Sequence, residues 1–144
     1  MSDEGMGELF WAVARELRFR TRDALEPWAV TPAQSRALGV LLHDEPHRLG
    51  DLAERLRIAP RSATEVVDHL ERRGLVERRP DLADRRATLI VLTDRGRAAA
   101  DDIRAARIIE ADRFFARLSP GDRADLARIL GNLVAEGERE ANKG

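Results

Sequence analysis

The feature that most constrains this chain lies between Leu49 and Leu70. Leu49, Leu52, Ala53 and Leu56 recur at the i, i+3, i+4, i+7 positions of a helix, and Ala63, Val66, Val67 and Leu70 repeat the pattern. Each set is one apolar face of a short helix. The residues between them, Arg57-Ile58-Ala59-Pro60, are too few for a strand. Pro60 lacks an N–H and so can stop one helix and open the next. The pair is a helix-turn-helix candidate. Gly74 follows where a left-handed C-terminal residue is expected, and Arg72-Arg73 complement the negative end of the second helix.

What surrounds this pair extends the pattern. Two β-like runs, 75–79 and 88–93, flank the polar loop Pro80-Asp81-Leu82-Ala83-Asp84-Arg85-Arg86-Ala87. Helix, turn, helix and a hairpin with a charged tip is the order of a winged helix. Upstream, Thr31-Pro32-Ala33-Gln34 spells a capping box, and Leu38, Leu41 and Leu42 mark the buried face of the helix it starts. Leu9, Phe10, Val13 and Leu17 predict a first helix over about 7–25, ended by Pro27, and 43–47 read as a loop. Downstream, Thr93-Asp94 can cap a long helix to about Leu118. Ser119-Pro120 then starts a last one, whose stripe of Leu126, Ile129, Leu130, Leu133 and Val134 is wide enough to need a partner surface, with a polar tail from about Gly137.

Composition excludes more than it selects. At 144 residues, 43% apolar and 35% charged, the chain reads as one globular domain. No apolar run approaches the roughly 20 residues of a spanning helix. The Met-Ser-Asp-Glu-Gly start lacks the basic region of a secretory signal, which points to the cytoplasm. The absence of cysteine removes disulfides, thiolate metal sites and thiol redox chemistry. A formal net charge of −1 is unpromising for a nucleic-acid binder, yet its distribution matters more: −3 over 1–47, +2 over 48–86 and 0 over 87–144. All but one of the positive charges are arginines, which suit bidentate phosphate and base-edge contacts.

The second helix of the pair carries Arg61, Ser62, Thr64, Glu65 and Asp68 away from its apolar face. A helix fits the major groove, and its first turn brings free amides and a positive dipole toward phosphate. Arg61 suits guanine; Ser62 and Thr64 suit bases or phosphate. The plainer alternative is an ordinary solvated helix. At the hairpin tip, Arg85-Arg86 match the narrow, electronegative minor groove and Asp84 can brace an arginine, against the alternative of a mixed-sign surface loop.

Taken together these segments closely resemble the MarR family of regulators. The resemblance is carried by Leu52-Ala53-Glu54-Arg55-Leu56, by Arg61-Ser62-Ala63-Thr64 through Arg72-Arg73-Gly74-Leu75-Val76, by Asp84-Arg85-Arg86-Ala87 and by Leu92-Thr93. It implies a mainly α (α+β) fold: a winged helix-turn-helix over about 31–93, with N- and C-terminal helices at about 7–26 and 94–138 forming a dimerisation region. It implies a homodimer on a pseudo-palindromic double-stranded operator, acting as a transcriptional repressor released by a small molecule. DNA contact carries over by motif to Arg61, Ser62, Ala63 and Thr64, and to Asp84 and Arg86 of the wing, with Arg85 on phosphate. The family commonly places an effector pocket where its first two helices meet the fifth. There Phe10, Trp11, Trp28 and His43 are the candidates for an aromatic or phenolic effector, with core and interface packing as the plainer role.

Other functions fare worse. His43 and His47 are spaced as metal ligands on a helix would be, but Pro46 breaks the helix, so no metal or other cofactor is assigned. His69 belongs with backbone or phosphate contacts. A winged helix that docks only on protein remains a second class, distinguishable by weak salt dependence. No phosphate loop, nucleophile elbow or supported Ser/His/Asp grouping speaks for an enzyme. Asp101 and Asp102 are adjacent on a helix and face different ways.

Overall fold

The capping box at Thr31 closes as its residues require. The Gln34 N–H donates to Thr31 Oγ1 and the Thr31 N–H donates to Gln34 Oε1, both at 3.1 Å. The computed structural model describes residues 4–43 and 47–143. From this cap runs α2 (Pro32–His43), after α1 (Glu4–Ala24) and a 3-10 turn (Glu26–Trp28). Then come β1 (His47–Arg48), α3 (Leu49–Leu56), α4 (Pro60–Arg72), β2 (Val76–Pro80), β3 (Thr88–Leu92), α5 (Asp94–Phe115) and α6 (Pro120–Ala141).

The core sits beneath the helix-turn-helix. Leu38 of α2, Leu52 of α3, Val67 and Leu70 of α4, Val76 of β2 and Ile90 of β3 are the largest fully buried side chains. Each contributes about 1.5–3 kcal/mol relative to exposure. The three strands form an antiparallel sheet in the order β1-β3-β2, with Val76 opposite Leu92 and Pro80 opposite Thr88. β1, too short to show a pattern in the sequence, pairs His47 with Ile90 and Arg48 with Leu89.

Three junctions hold α4 between its neighbours. Arg57 ends α3 in the left-handed region, φ 53°. Gly74 leaves α4 at φ 73°, where glycine carries no steric penalty. Thr93 then caps α5, accepting from the Gly96 N–H at 3.0 Å while its hydroxyl donates to the Gly74 carbonyl at 2.6 Å. Gly96 lies so close to this exit that an added Cβ would stand 1.7 Å from the Leu75 carbonyl oxygen.

α1 and α2 both lie against α5. Leu9, Phe10 and Val13 of the first helix are exposed in the single chain, as are Ile108 and Ile109 of α5. The hydrophobic stripe of α6 is also uncovered, with Leu133 at 60% and Val134 at 62% exposure, and no residue of α6 is buried.

Candidate nucleic-acid interface

α4 presents its polar face where α3 and the wing leave it open. Arg61 and Ser62, in its first turn, are exposed. The N-cap, Ala59, has no side chain to accept a hydrogen bond, unlike Thr93 of α5 and Ser119 of α6. The Arg61 and Ser62 amides thus lack a side-chain cap at the positive end of the helix dipole. Thr64 is half-buried and turns its hydroxyl back to the Pro60 carbonyl at 3.1 Å. Ala63 corrects a carried-over contact: at 0% exposure it belongs to the apolar face against the core, and a groove cannot reach its side chain. Asp68, expected on the outward face, is engaged internally. Its Oδ1 accepts from Arg78 Nη2 at 2.5 Å, while Glu71 Oε1 accepts from Arg78 Nη1 at 2.7 Å. These bonds, the one to Asp68 foremost, raise the Arg78 pKa and clip β2 onto α4.

The wing is organised from within. Asp81 Oδ1 accepts from the Ala83 N–H at 2.9 Å, and Asp81 Oδ2 accepts from Arg48 Nη2 at 2.8 Å and Nε at 3.2 Å. The Ala83 amide first, then the Arg48 guanidinium, hold the Asp81 carboxyl below its usual pKa, and Asp81 in turn raises that of Arg48. Asp84 braces the tip: its Oδ1 accepts from the Arg86 N–H at 3.0 Å, and its Oδ2 lies 3.9 Å from Arg48 Nη1. Arg85 and Arg86 are exposed, and neither forms an ion pair among the described residues. Beside them Leu82, 96% exposed, is an apolar tip. Neither Leu82 nor the bracing Arg48 is singled out by sequence, since Arg48 meets Asp81 only through the fold.

Behind the helix-turn-helix, a cavity of about 870 Å³ opens between α1, α2 and α5. Of the four pocket candidates only Trp11 lines it. Phe10 stands edge-on to Trp11 with ring centroids 5.7 Å apart, His43 faces a neighbouring groove, and Trp28 packs against the core. Sequence reading missed the charged part of the lining, namely Arg18, Arg22, Arg36, Arg104 and Arg107. Its only signal was arginines recurring at helical spacing. Among the described residues no group of three or more His, Asp or Glu could hold a metal, and no helix is long and apolar enough to cross a membrane.

Comparison with known proteins matches this geometry. Residues 30–88 match the MarR family model. An uncharacterized HTH-type transcriptional regulator of Mycobacterium leprae is 32% identical, the alignment covering 86% of this chain and 83% of the relative. The chain belongs to the MarR family. The HTH-type transcriptional repressor MdtR of Bacillus subtilis is 26% identical, covering 90% of this chain and 83% of the repressor. The solved structure of a Mycobacterium tuberculosis MarR family protein superposes with a TM-score of 0.75 at 29% identity, covering 92% of this chain and 95% of that one. As a MarR-family member the chain is a DNA-binding transcriptional regulator. Its family-matched segment holds α2 to β2 and the wing. The long α5 and α6 lie outside it.

Proposed function

We propose that two copies of this chain join through α1, α5 and α6 and repress transcription in the cytoplasm by binding a pseudo-palindromic operator. The observation that carries this is the pairing of an α4 N-terminus, open at Arg61 and Ser62, with a braced wing that holds Arg85 and Arg86 without ion-pair partners among the described residues. Arg61 and Ser62 enter the major groove. Arg86 reaches the adjacent minor groove and Arg85 its phosphates. The uncovered stripe of α6 supplies the twofold contact that sets two α4 helices about one helical turn apart. A small molecule held between α1, α2 and α5 releases the operator by favouring a dimer with the wrong spacing. The function is binding alone, with no catalytic step.

The test is to incubate the purified protein with fragments of its own genome, sequence those retained, and measure affinity for the recovered site against salt. A palindrome-like site is expected, bound ever more weakly as salt rises, with a slope set by the phosphates neutralised. No enrichment over bulk DNA at low salt would end the proposal.

A further inference from the structure

Helix α4 carries three carboxylates, Glu65, Asp68 and Glu71. Two of them are neutralised from the hairpin, since Arg78 donates to Asp68 Oδ1 at 2.5 Å and to Glu71 Oε1 at 2.7 Å. Glu65 is the exception. It is exposed, and among the described residues its side chain makes no hydrogen bond or ion pair. Arg61 and His69 stand one turn before and one turn after it on the same exposed face, and neither is paired with it. Ala63, Val66, Val67 and Leu70 turn the opposite face of α4 into the core. Arg61 and Glu65 therefore project together from the face that the operator-binding proposal offers to the major groove.

A duplex carries one negative charge per roughly 1.7 Å of its axis. A bare carboxylate brought into its groove is repelled at every sequence alike, a cost that Asp68 and Glu71 escape because Arg78 cancels them. Glu65 recovers that cost only where a base edge offers a donor. Cytosine presents its N4 amino group to the major groove with no acceptor on the same base edge. Adenine sets the N7 acceptor next to its N6 amino group, while guanine N7 and O6 and thymine O4 are acceptors only. A carboxylate in this position is thus matched by one base and opposed by three.

We infer that Glu65 determines sequence specificity: its carboxylate accepts from a cytosine N4 amino group in each half-site and weakens binding to every duplex that lacks cytosine there. This rests on the operator-binding proposal and deepens it. Arg61, one turn earlier, supplies attraction that holds the helix in the groove, and Glu65 supplies the rejection that makes the attraction selective.

The test is selection from randomised duplexes, run in parallel with the wild-type protein and Glu65→Gln. The wild type should enrich cytosine at one position of each half-site, and Glu65→Gln should lose that preference, or turn it to adenine, while keeping the other positions. On the selected site, replacing this cytosine with any other base should raise the wild-type dissociation constant at least about tenfold and that of Glu65→Gln less than about threefold. On sheared bulk DNA at low salt, Glu65→Gln should bind at least about threefold tighter than the wild type, a gain that fades as salt rises. Because Glu65 is exposed and unpaired, Glu65→Gln should melt as the wild type does. A variant that selects the same site with the same discrimination overturns the inference. So does one that loses operator affinity without binding bulk DNA more tightly, since Glu65 would then only orient Arg61. In either case the operator proposal stands. If the wild type enriches no duplex at all, the operator proposal falls and takes this inference with it.

Discussion

The DNA-facing half of this molecule and its helical arms are built on opposite terms. From Thr31 to Thr93 the apolar faces of α2, α3, α4, β2 and β3 close on one another, and polar side chains tie the pieces at defined points: Arg48 to Asp81, Arg78 to Asp68 and Glu71, Arg73 to the carbonyls of Trp28 and Ala29. In α1 and α6 the reverse holds, with Met6, Phe10, Phe19, Leu133 and Val134 facing outward. A surface that satisfies itself is free to meet a ligand of another chemistry, in the proposed function phosphate and base edges. A surface left apolar is fitted to meet another of its own kind.

The sharpest way to break this contrast is at the junction of the two halves. Gly96→Ala drives a methyl group into the Leu75 carbonyl, and should destabilise the fold by at least about 3 kcal/mol, seen as a lowered urea midpoint; a loss under about 1 kcal/mol would mean that α5 can slide freely past the end of α4. The arms come next. Leu133→Asp should weaken self-association by about 100-fold in analytical ultracentrifugation and lower operator affinity with it, while leaving thermal stability of the separated chain nearly unchanged; a variant that stays dimeric would place the twofold contact elsewhere. In the DNA-facing half, Arg61→Ala and Arg86→Ala should each lower operator affinity by about tenfold with the dimer intact. Arg61→Ala should also relax discrimination at one base pair, and unchanged affinity at physiological salt in either variant would remove that residue from the interface.

The smallest effect concerns the wing brace. Because Asp81 titrates below its usual range in the folded chain, its contribution to stability is fully present above the unfolded value and is lost as pH falls through the folded one. Asp81→Asn should therefore differ from wild type at neutral pH, with a faster exchange of the Ala83 amide, and the difference should start to fade near about pH 4 and vanish only once pH has fallen through the lowered folded value. A difference that persists in stronger acid would assign the wing's order to something other than this carboxylate.

How much of this was legible depended on how far apart the interacting residues lie in the chain. Local chemistry could be read directly: the Thr31 and Gln34 box, Pro60 opening α4, Gly74 closing it, and Thr93 and Ser119 as caps all follow from neighbours within four residues. Periodicity gave the buried faces of α3 and α4 for the same reason. In α1 periodicity marked a real stripe without saying what covers it, and Leu9 and Val13 stand exposed in the single chain. β1 was invisible because two residues carry no alternation, and it exists only where β3 offers it an edge. The ties Arg36 to Leu56, Arg48 to Asp81 and Arg73 to Trp28 join residues at least 20 positions apart, which no spacing rule reaches. Ala63 was assigned two incompatible roles, and burial decides between them.

Arg78, gripping Asp68 and Glu71 from the hairpin, fixes the span between α4 and the hairpin, the two elements proposed to grasp a half-site. On that proposal each copy approaches the duplex as a caliper of set gauge, so operators that differ in the number of base pairs between their halves would be accommodated only where the two copies join, and spacer length, more than half-site sequence, would limit which promoters are bound.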